Sequence, residues 1–96
     1  MQVALVIGSA VATIKDEMLH GRKLLLVRLA DETGAPAGPP HVAVDTVSAG
    51  AGDLVIVTAG SSARQTSQTQ HAPVDLVIVG VIDSLEVGGN VTYRKS

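Results

Sequence analysis

The stretch LLLVRL, from Leu24 to Leu29, decides the fold. In an extended strand, successive side chains point to opposite faces, so Leu25, Val27 and Leu29 share one face. Leu24 and Leu26 lie on the other face. A strand that is apolar on both faces needs cover on both. The sequence contains no long amphipathic helix to supply it. The second face is therefore expected either to contact another subunit or to lie beneath a loop.

The rest of the composition favours the same class of structure. Hydrophobic residues make up 46% of the 96 residues, and Tyr93 is the only aromatic residue. A core without aromatic rings must be built from Val, Ile, Leu and Ala, and β-branched side chains fit strands better than helices. The run DLVIV occurs twice, at 53–57 and 75–79, and is also apolar on both faces. The sequence predicts one all-β domain over residues 1–96.

Alternation and turn residues indicate where the strands lie. PAGPP at 36–40 is expected to be an extended connector, and residues 45–48 a short helical turn capped by Asp45. Gly88-Gly89-Asn90 is a hairpin signal, so the tail 87–96 is expected to hold a short edge strand at 91–94 or to be mobile. The main strands are predicted at residues 2–13, 23–30, 41–45, 54–58 and 76–87.

Charge and composition exclude several classes of function. A net charge of −2 argues against non-specific binding to phosphate backbones, and a single aromatic residue offers no stacking platform for single-stranded nucleic acid. No apolar run approaches the roughly 18–20 residues of a membrane span. The N-terminus lacks the basic region of a signal peptide and is interpreted as a strand. The absence of cysteine fits a cytoplasmic protein.

Metal and cofactor chemistry finds no support in the sequence. His20, His41 and His71 show no ligand spacing, and no glycine-rich phosphate loop is present. We therefore predict neither a metal site nor a cofactor.

The segment GSSAR, Gly60 to Arg64, is the candidate for a chemical site. A serine nucleophile needs a positioned base, and the G-x-S-x-G elbow is absent, so we predict that the protein is not an enzyme. Two interpretations stay open. The backbone N–H groups and Arg64 form an anion cradle, or the serines cap a turn and Arg64 pairs with a carboxylate of a neighbouring subunit.

Five segments together resemble one family, the bacterial microcompartment vertex proteins. These proteins form pentamers in carboxysomes and in shells for ethanolamine, propanediol and related substrates. The family often has glycine where this chain has Ser48. The resemblance covers nearly the whole chain and rests on VATIK (11–15), GRKLLLVR (21–28), VAVDTVSAGAGD (42–53), GSSAR (60–64) and APVDLVIVGVID (72–83).

The resemblance implies a fold, a function and a set of partners. The fold is a small five-stranded antiparallel β-barrel resembling an OB-fold, assembled as a pentameric ring. The function is structural: the pentamer closes a vertex of a microcompartment shell in the cytoplasm. The partners are other copies of the chain and the hexameric shell proteins of the same compartment. The alternative function is an oligomeric barrel that binds a small anionic ligand at Gly60–Arg64.

Site residues follow from this architecture. Ser61 and Ser62 are expected to border the small central opening. The predicted subunit interface contains Leu24, Leu26 and Arg64. The predicted rim that faces the hexamers contains Lys15, Arg22 and Lys23.

Overall fold

The computed structural model describes residues 1–13, 21–59 and 76–96. Every regular element in these ranges is a β-strand, as a composition rich in Val and Ile predicts. These residues include no helix with the length and hydropathy of a membrane span. The strands are β1 (Gln2–Ser9), β2 (Leu24–Ala30), β3 (Pro36–Asp45), β4 (Leu54–Ala59), β5 (Leu76–Val81), β6 (Ser84–Val87) and β7 (Asn90–Arg94).

The first five strands form a closed barrel in the order β1-β2-β3-β5-β4, with β4 paired back to β1. The predicted all-β, five-stranded barrel is confirmed. One pairing differs from the antiparallel expectation, since β3 and β5 are parallel through Val44–Val77 and Asp45–Ile78. A closed ring with an odd number of strands cannot alternate direction throughout, so one parallel pair is unavoidable.

The barrel interior is filled by small and medium apolar side chains from alternate strand positions. Leu25 and Val27 point inward from β2, as the alternation in LLLVRL predicts, and both are buried. No aromatic side chain is part of this core cluster, which suits the narrow interior expected of a barrel of only five strands. The cluster consists of Ala4, Val6, Leu25, Val27, Ala43, Ala49, Val55, Val57 and Ile78.

Two predicted strand boundaries are wrong. β1 ends at Ser9, not near Thr13, although the Ala10 amide still donates to the Leu24 carbonyl oxygen at 3.1 Å. β3 begins at Pro36, so PAGPP belongs to a strand and is not a connector. Pairing between Pro36 and Ala30 explains the difference, because the two strands continue beside each other as a ribbon up to their turn.

The long strand predicted at 76–87 is two strands. Ile82 and Asp83 separate β5 from β6, and the Ile82 amide donates to the Leu54 carbonyl oxygen at 2.8 Å. β6 then pairs with β7 as an antiparallel hairpin. Gly88 and Gly89 both have positive φ, at 57° and 85°, which suits the tight turn between the two strands.

The turn between β2 and β3 is organised by Asp31. Its Oδ1 accepts hydrogen bonds from the Thr33 amide at 2.8 Å, the Thr33 hydroxyl at 2.6 Å and the Ala35 amide at 3.1 Å. The hydrogen bond from the Thr33 hydroxyl favours the charged carboxylate, and it is the main reason why the pKa of Asp31 lies below its ordinary value. A short exposed turn thereby gains a fixed shape, with Gly34 at a φ of 84°.

Candidate functional site

A buried row of side chains crosses the outside of the barrel over four strands. The register places Leu24 beside Val44, Val44 beside Val77, and Val77 beside Thr58. Val44 is 4% exposed and Val77 is fully buried, although both point away from the core cluster. The side chain of Leu24 packs against these two valines and is half-buried. The second apolar face predicted for β2 is therefore present.

A second row on the same side of the barrel is open to solvent. Leu26 lies beside Val42 in the register; Leu26 is half-buried and Val42 is 52% exposed. Val79, also half-buried, packs against the first row from β5. We call Leu24, Leu26, Val42, Val44, Val77 and Val79 the outer apolar face. Its partly exposed half, around Leu26 and Val42, can still bury apolar area against another molecule.

The Thr58 hydroxyl lies at the β4 end of the buried row. Thr58 is 7% exposed, and its Oγ1 makes no hydrogen bond within the structure as described. Burying a hydroxyl without a partner costs free energy. The Thr58 hydroxyl is therefore a buried polar group whose hydrogen bonding the surrounding apolar side chains do not satisfy.

Lys23, predicted at the hexamer-facing rim, contacts its own chain. Its Nζ donates to the Ala49 carbonyl oxygen at 2.6 Å and lies 3.8 Å from Asp45 Oδ2, while its side chain stays 54% exposed. The buried Asp45 carboxylate accepts from the Val47 and Ala49 amides, both at 3.0 Å. Lys23 and Asp45 therefore hold the loop between β3 and β4 to the start of β2.

Residues 45–48 do not form the predicted helical turn. Asp45 does accept amide hydrogen bonds from the following residues, as a cap would, but the backbone bends and Ser48 has a φ of 59°. The capping interaction was predictable from Asp45 itself. The backbone path was not, because it depends on Thr46, whose hydroxyl donates to the Ile78 carbonyl oxygen of β5 at 2.7 Å.

The other predicted site residues are distributed as follows. The Arg22 side chain is exposed just before β2. Lys15, Ser61, Ser62 and Arg64 lie outside the described residues, so their predicted places at the rim, the opening and the interface stay predictions. We find no group of three or more His, Cys, Asp or Glu side chains suited to holding a metal ion in the described residues, 1–13, 21–59 and 76–96.

One mouth of the barrel contains a cavity of about 380 Å³. All five barrel strands contribute to it, including the last residue of β4, Ala59, and the first of β5, Leu76. Ala59 and Leu76, the described residues on either side of the segment that contains GSSAR, therefore both lie at this mouth. The lining residues are Gln2, Leu29, His41, Val42, Ala59 and Leu76.

The sequence interpretation noted the hairpin signal at Gly88-Gly89-Asn90 but missed that the hairpin of β6 and β7 exposes apolar side chains. Its strands carry Val87 and Val91, which are 48% and 50% exposed. The alternation of apolar residues at Leu85, Val87, Val91 and Tyr93 was the available signal. These exposed valines are not part of the outer apolar face.

Comparison with known proteins gives this architecture its family. Residues 1–83 match the family model described as "Ethanolamine utilisation protein EutN/carboxysome". The bacterial microcompartment shell vertex protein EutN of Salmonella typhimurium is 40% identical over 95 residues, which cover 99% of this chain and 96% of that protein.

Solved structures show the same likeness. The structure of Gloeobacter violaceus CcmL is 39% identical with a TM-score of 0.91, covering 99% of this chain and 98% of that one. The GrpN pentameric microcompartment shell protein from Rhodospirillum rubrum is 46% identical with a TM-score of 0.81, covering 91% and 99%. With a family match over most of its length and relatives at this identity, the chain belongs to the EutN and CcmL family of microcompartment shell vertex proteins.

Proposed function

We propose that this protein is a structural shell protein whose pentamers cap the vertices of a bacterial microcompartment. The relatives named above are shell vertex proteins, and GrpN is described as pentameric. The observation on this chain that carries the proposal is the outer apolar face. Val42 is half-exposed there beside Leu26, on a barrel whose interior is already filled.

A ring suits such a surface. In a cyclic pentamer each subunit makes two different contacts, one with each neighbour, and closure leaves no contact unused. Burying apolar area contributes about 25 cal/mol for each Å², from which the entropy cost of association must be subtracted. A half-buried Leu26 and a half-exposed Val42 supply that area, while Val44 and Val77 beside them are already buried.

The function proposed for the pentamer is closure of the shell and involves no bond chemistry. Two charged groups beside the outer apolar face, Lys23 and Asp45, contact backbone atoms of the loop between β3 and β4. We place the surface that meets hexameric shell proteins around Arg22 and Lys23, whose side chains are exposed before β2. Polar rims of this kind are typical of interfaces between preformed subunits.

Replacing Leu26 with aspartate tests the proposed interface. Native mass spectrometry of the unmodified protein should show pentamers. Leu26→Asp should release folded monomers, because an interface that loses a leucine loses about 1.5–3 kcal/mol and must also desolvate a charge. Leu26 is a sharper probe than Leu24, since Leu24 also packs against buried Val44 and Val77.

The control is Ala51→Asp, which adds the same charge at an exposed position of the turn before β4 and should leave pentamers intact. Circular dichroism distinguishes dissociation from unfolding. A wild-type protein that stays monomeric at high concentration would contradict the proposed function. Unfolded Leu26→Asp would instead assign Leu26 to the stability of the barrel.

A further inference from the structure

We propose that the cavity at the mouth of the barrel binds a small, uncharged aliphatic molecule that carries one hydrogen-bonding head group. This goes beyond the proposed shell function and does not depend on the pentamer, because the described lining is built from the strands of a single barrel.

The cavity is the open end of the barrel interior. Each of the five barrel strands contributes a lining residue that lies two positions along that strand from a member of the core cluster. Side chains two apart in a strand point to the same face, so all five point inward. The pairs are Gln2 with Ala4, Leu29 with Val27, His41 with Ala43, Ala59 with Val57, and Leu76 with Ile78. The site is therefore a layer of the barrel above its core and not a groove on the outer surface.

The floor of the cavity is apolar, and its rim contains two polar side chains. Leu29 and Leu76 are half-buried and pack against the core cluster, so they form the floor. Gln2 and His41 are exposed on β1 and β3, the two strands that flank β2. Ala59, directly beside Leu76 in the register, leaves the opposite wall low because its side chain is a single methyl group. An amphipathic molecule fits this layout with its chain on the leucines and its head group at the rim.

The remaining lining residue, Val42, borders the opening from outside. It pairs with Leu26 and belongs to the outer apolar face, so its side chain points away from the barrel interior. Val42 therefore extends the apolar wall at the edge of the cavity without filling it.

The size and chemistry of the cavity define the class of ligand. Its volume of about 380 Å³ lies within the range of about 300–1,000 Å³ that is typical of small-molecule sites, which occur in the mouths of β-barrels. None of the described lining residues is Asp, Glu, Lys or Arg, so an ionic ligand would lose water without gaining a fixed opposite charge. The amide of Gln2 and the imidazole of His41 can donate and accept hydrogen bonds. A hydroxyl group, which does both, suits this rim.

Primary alcohols test the site on the purified, nitrogen-15-labelled protein. Titration with 1-hexanol should shift the backbone amide signals of Leu29, His41 and Leu76 until they saturate. Each methylene added between 1-butanol and 1-hexanol should tighten binding about fourfold, because it buries further apolar area. Hexanoate, which has the same chain length and a charged head group, should not saturate the site over the same concentrations.

Two variants separate the apolar floor from the polar rim. Ala59→Phe adds a ring at an exposed, inward-pointing position and should abolish binding, while Ala51→Phe adds the same ring at the exposed turn before β4 and should leave binding unchanged. The double variant Gln2→Met/His41→Leu keeps side chains of similar size without the hydrogen-bonding groups. It should bind 1-hexanol about two- to tenfold more weakly.

Three results would overturn the proposal. These are amide shifts that grow without saturation, equal affinity of Ala59→Phe and the unmodified protein, and tighter binding of hexanoate than of 1-hexanol. If Ala59→Phe does not fold, the chain-length series on the unmodified protein decides alone. Failure of this proposal leaves the proposed function standing, because native mass spectrometry tests the pentamer separately.

Discussion

At the scale of single residues, the loop after β3 contains one strained backbone position. Ser48 has a φ of 59°, in the left-handed region that costs an ordinary residue about 1–2 kcal/mol. The Asp45 carboxylate holds the two residues that flank Ser48, because it accepts hydrogen bonds from the Val47 and Ala49 amides. The Lys23 amine binds the carbonyl oxygen of Ala49. These contacts impose the conformation that Ser48 adopts.

Ser48→Gly should therefore stabilise the protein. Glycine removes a strain of about 1–2 kcal/mol. Its greater freedom in the unfolded chain costs about 0.5–1 kcal/mol, so we expect a net gain of roughly 0.5–1 kcal/mol. Urea denaturation at one fixed protein concentration measures it. Ser48→Ala keeps the Cβ atom and should show no gain. A glycine variant less stable than the alanine variant would contradict the strain argument.

At the scale of elements, the C-terminal hairpin and the turn between β2 and β3 stabilise each other. Asp31 organises the turn, and the turn then presents the Glu32 carbonyl oxygen to Thr92 and the bare backbone of Gly34 to Tyr93. Glycine is needed at position 34 for two reasons. Its φ of 84° is unfavourable for other residues, and a Cβ atom there would lie against the Tyr93 ring. The two elements are far apart in the sequence and form one packing unit.

Gly34→Ala should undock the hairpin. The new methyl group lies 3.1 Å from Tyr93 Cδ2, so overpacking of about 1–3 kcal/mol adds to a φ strain of about 1–2 kcal/mol. Gly38→Ala is the matched control, because Gly38 has a φ of 78° with no atom within 4 Å of its Cβ position. Thermal denaturation and amide exchange of β6 and β7 compare the two variants. Equal destabilisation with unchanged exchange would show that Tyr93 does not clamp the hairpin.

At the scale of the whole molecule, the strand order decides which apolar side chains meet on the outside of the barrel. β5 lies between β3 and β4, which brings Val77 beside Val44 on the outside. An apolar outer surface can join copies of the chain into a closed ring, in which each subunit makes two different contacts. The proposed vertex function depends on that closure.

Shell assembly tests the whole-molecule argument. Co-expression with candidate hexameric shell proteins should give closed particles in electron micrographs. Omitting the chain should give open or elongated shells, because hexamers alone tile flat sheets. The Leu26→Asp variant should behave like omission, while Ala51→Asp should behave like the wild type. Closed particles formed with Leu26→Asp would mean that the ring is not what seals the vertex.

The sequence by itself determined the strand class and the two faces of β2. Alternation along Leu24 to Leu29 is a local property, and it predicts correctly that Leu25 is buried inside while Leu24 and Leu26 lie outside. The run from Leu54 likewise predicts β4, since β-branched side chains favour strands wherever they are placed. The resemblance to vertex proteins supplied the barrel and the family.

Only the tertiary structure decided which apolar residues stay exposed. PAGPP becomes strand because Pro36 pairs with Ala30, and the parallel β3–β5 pair joins segments that are distant in the chain. Val44 and Val42 look alike in the sequence, yet one is 4% exposed and the other 52%. Pairing between distant strands sets this difference, and the local pattern does not contain it, because exposure depends on which segment covers a side chain.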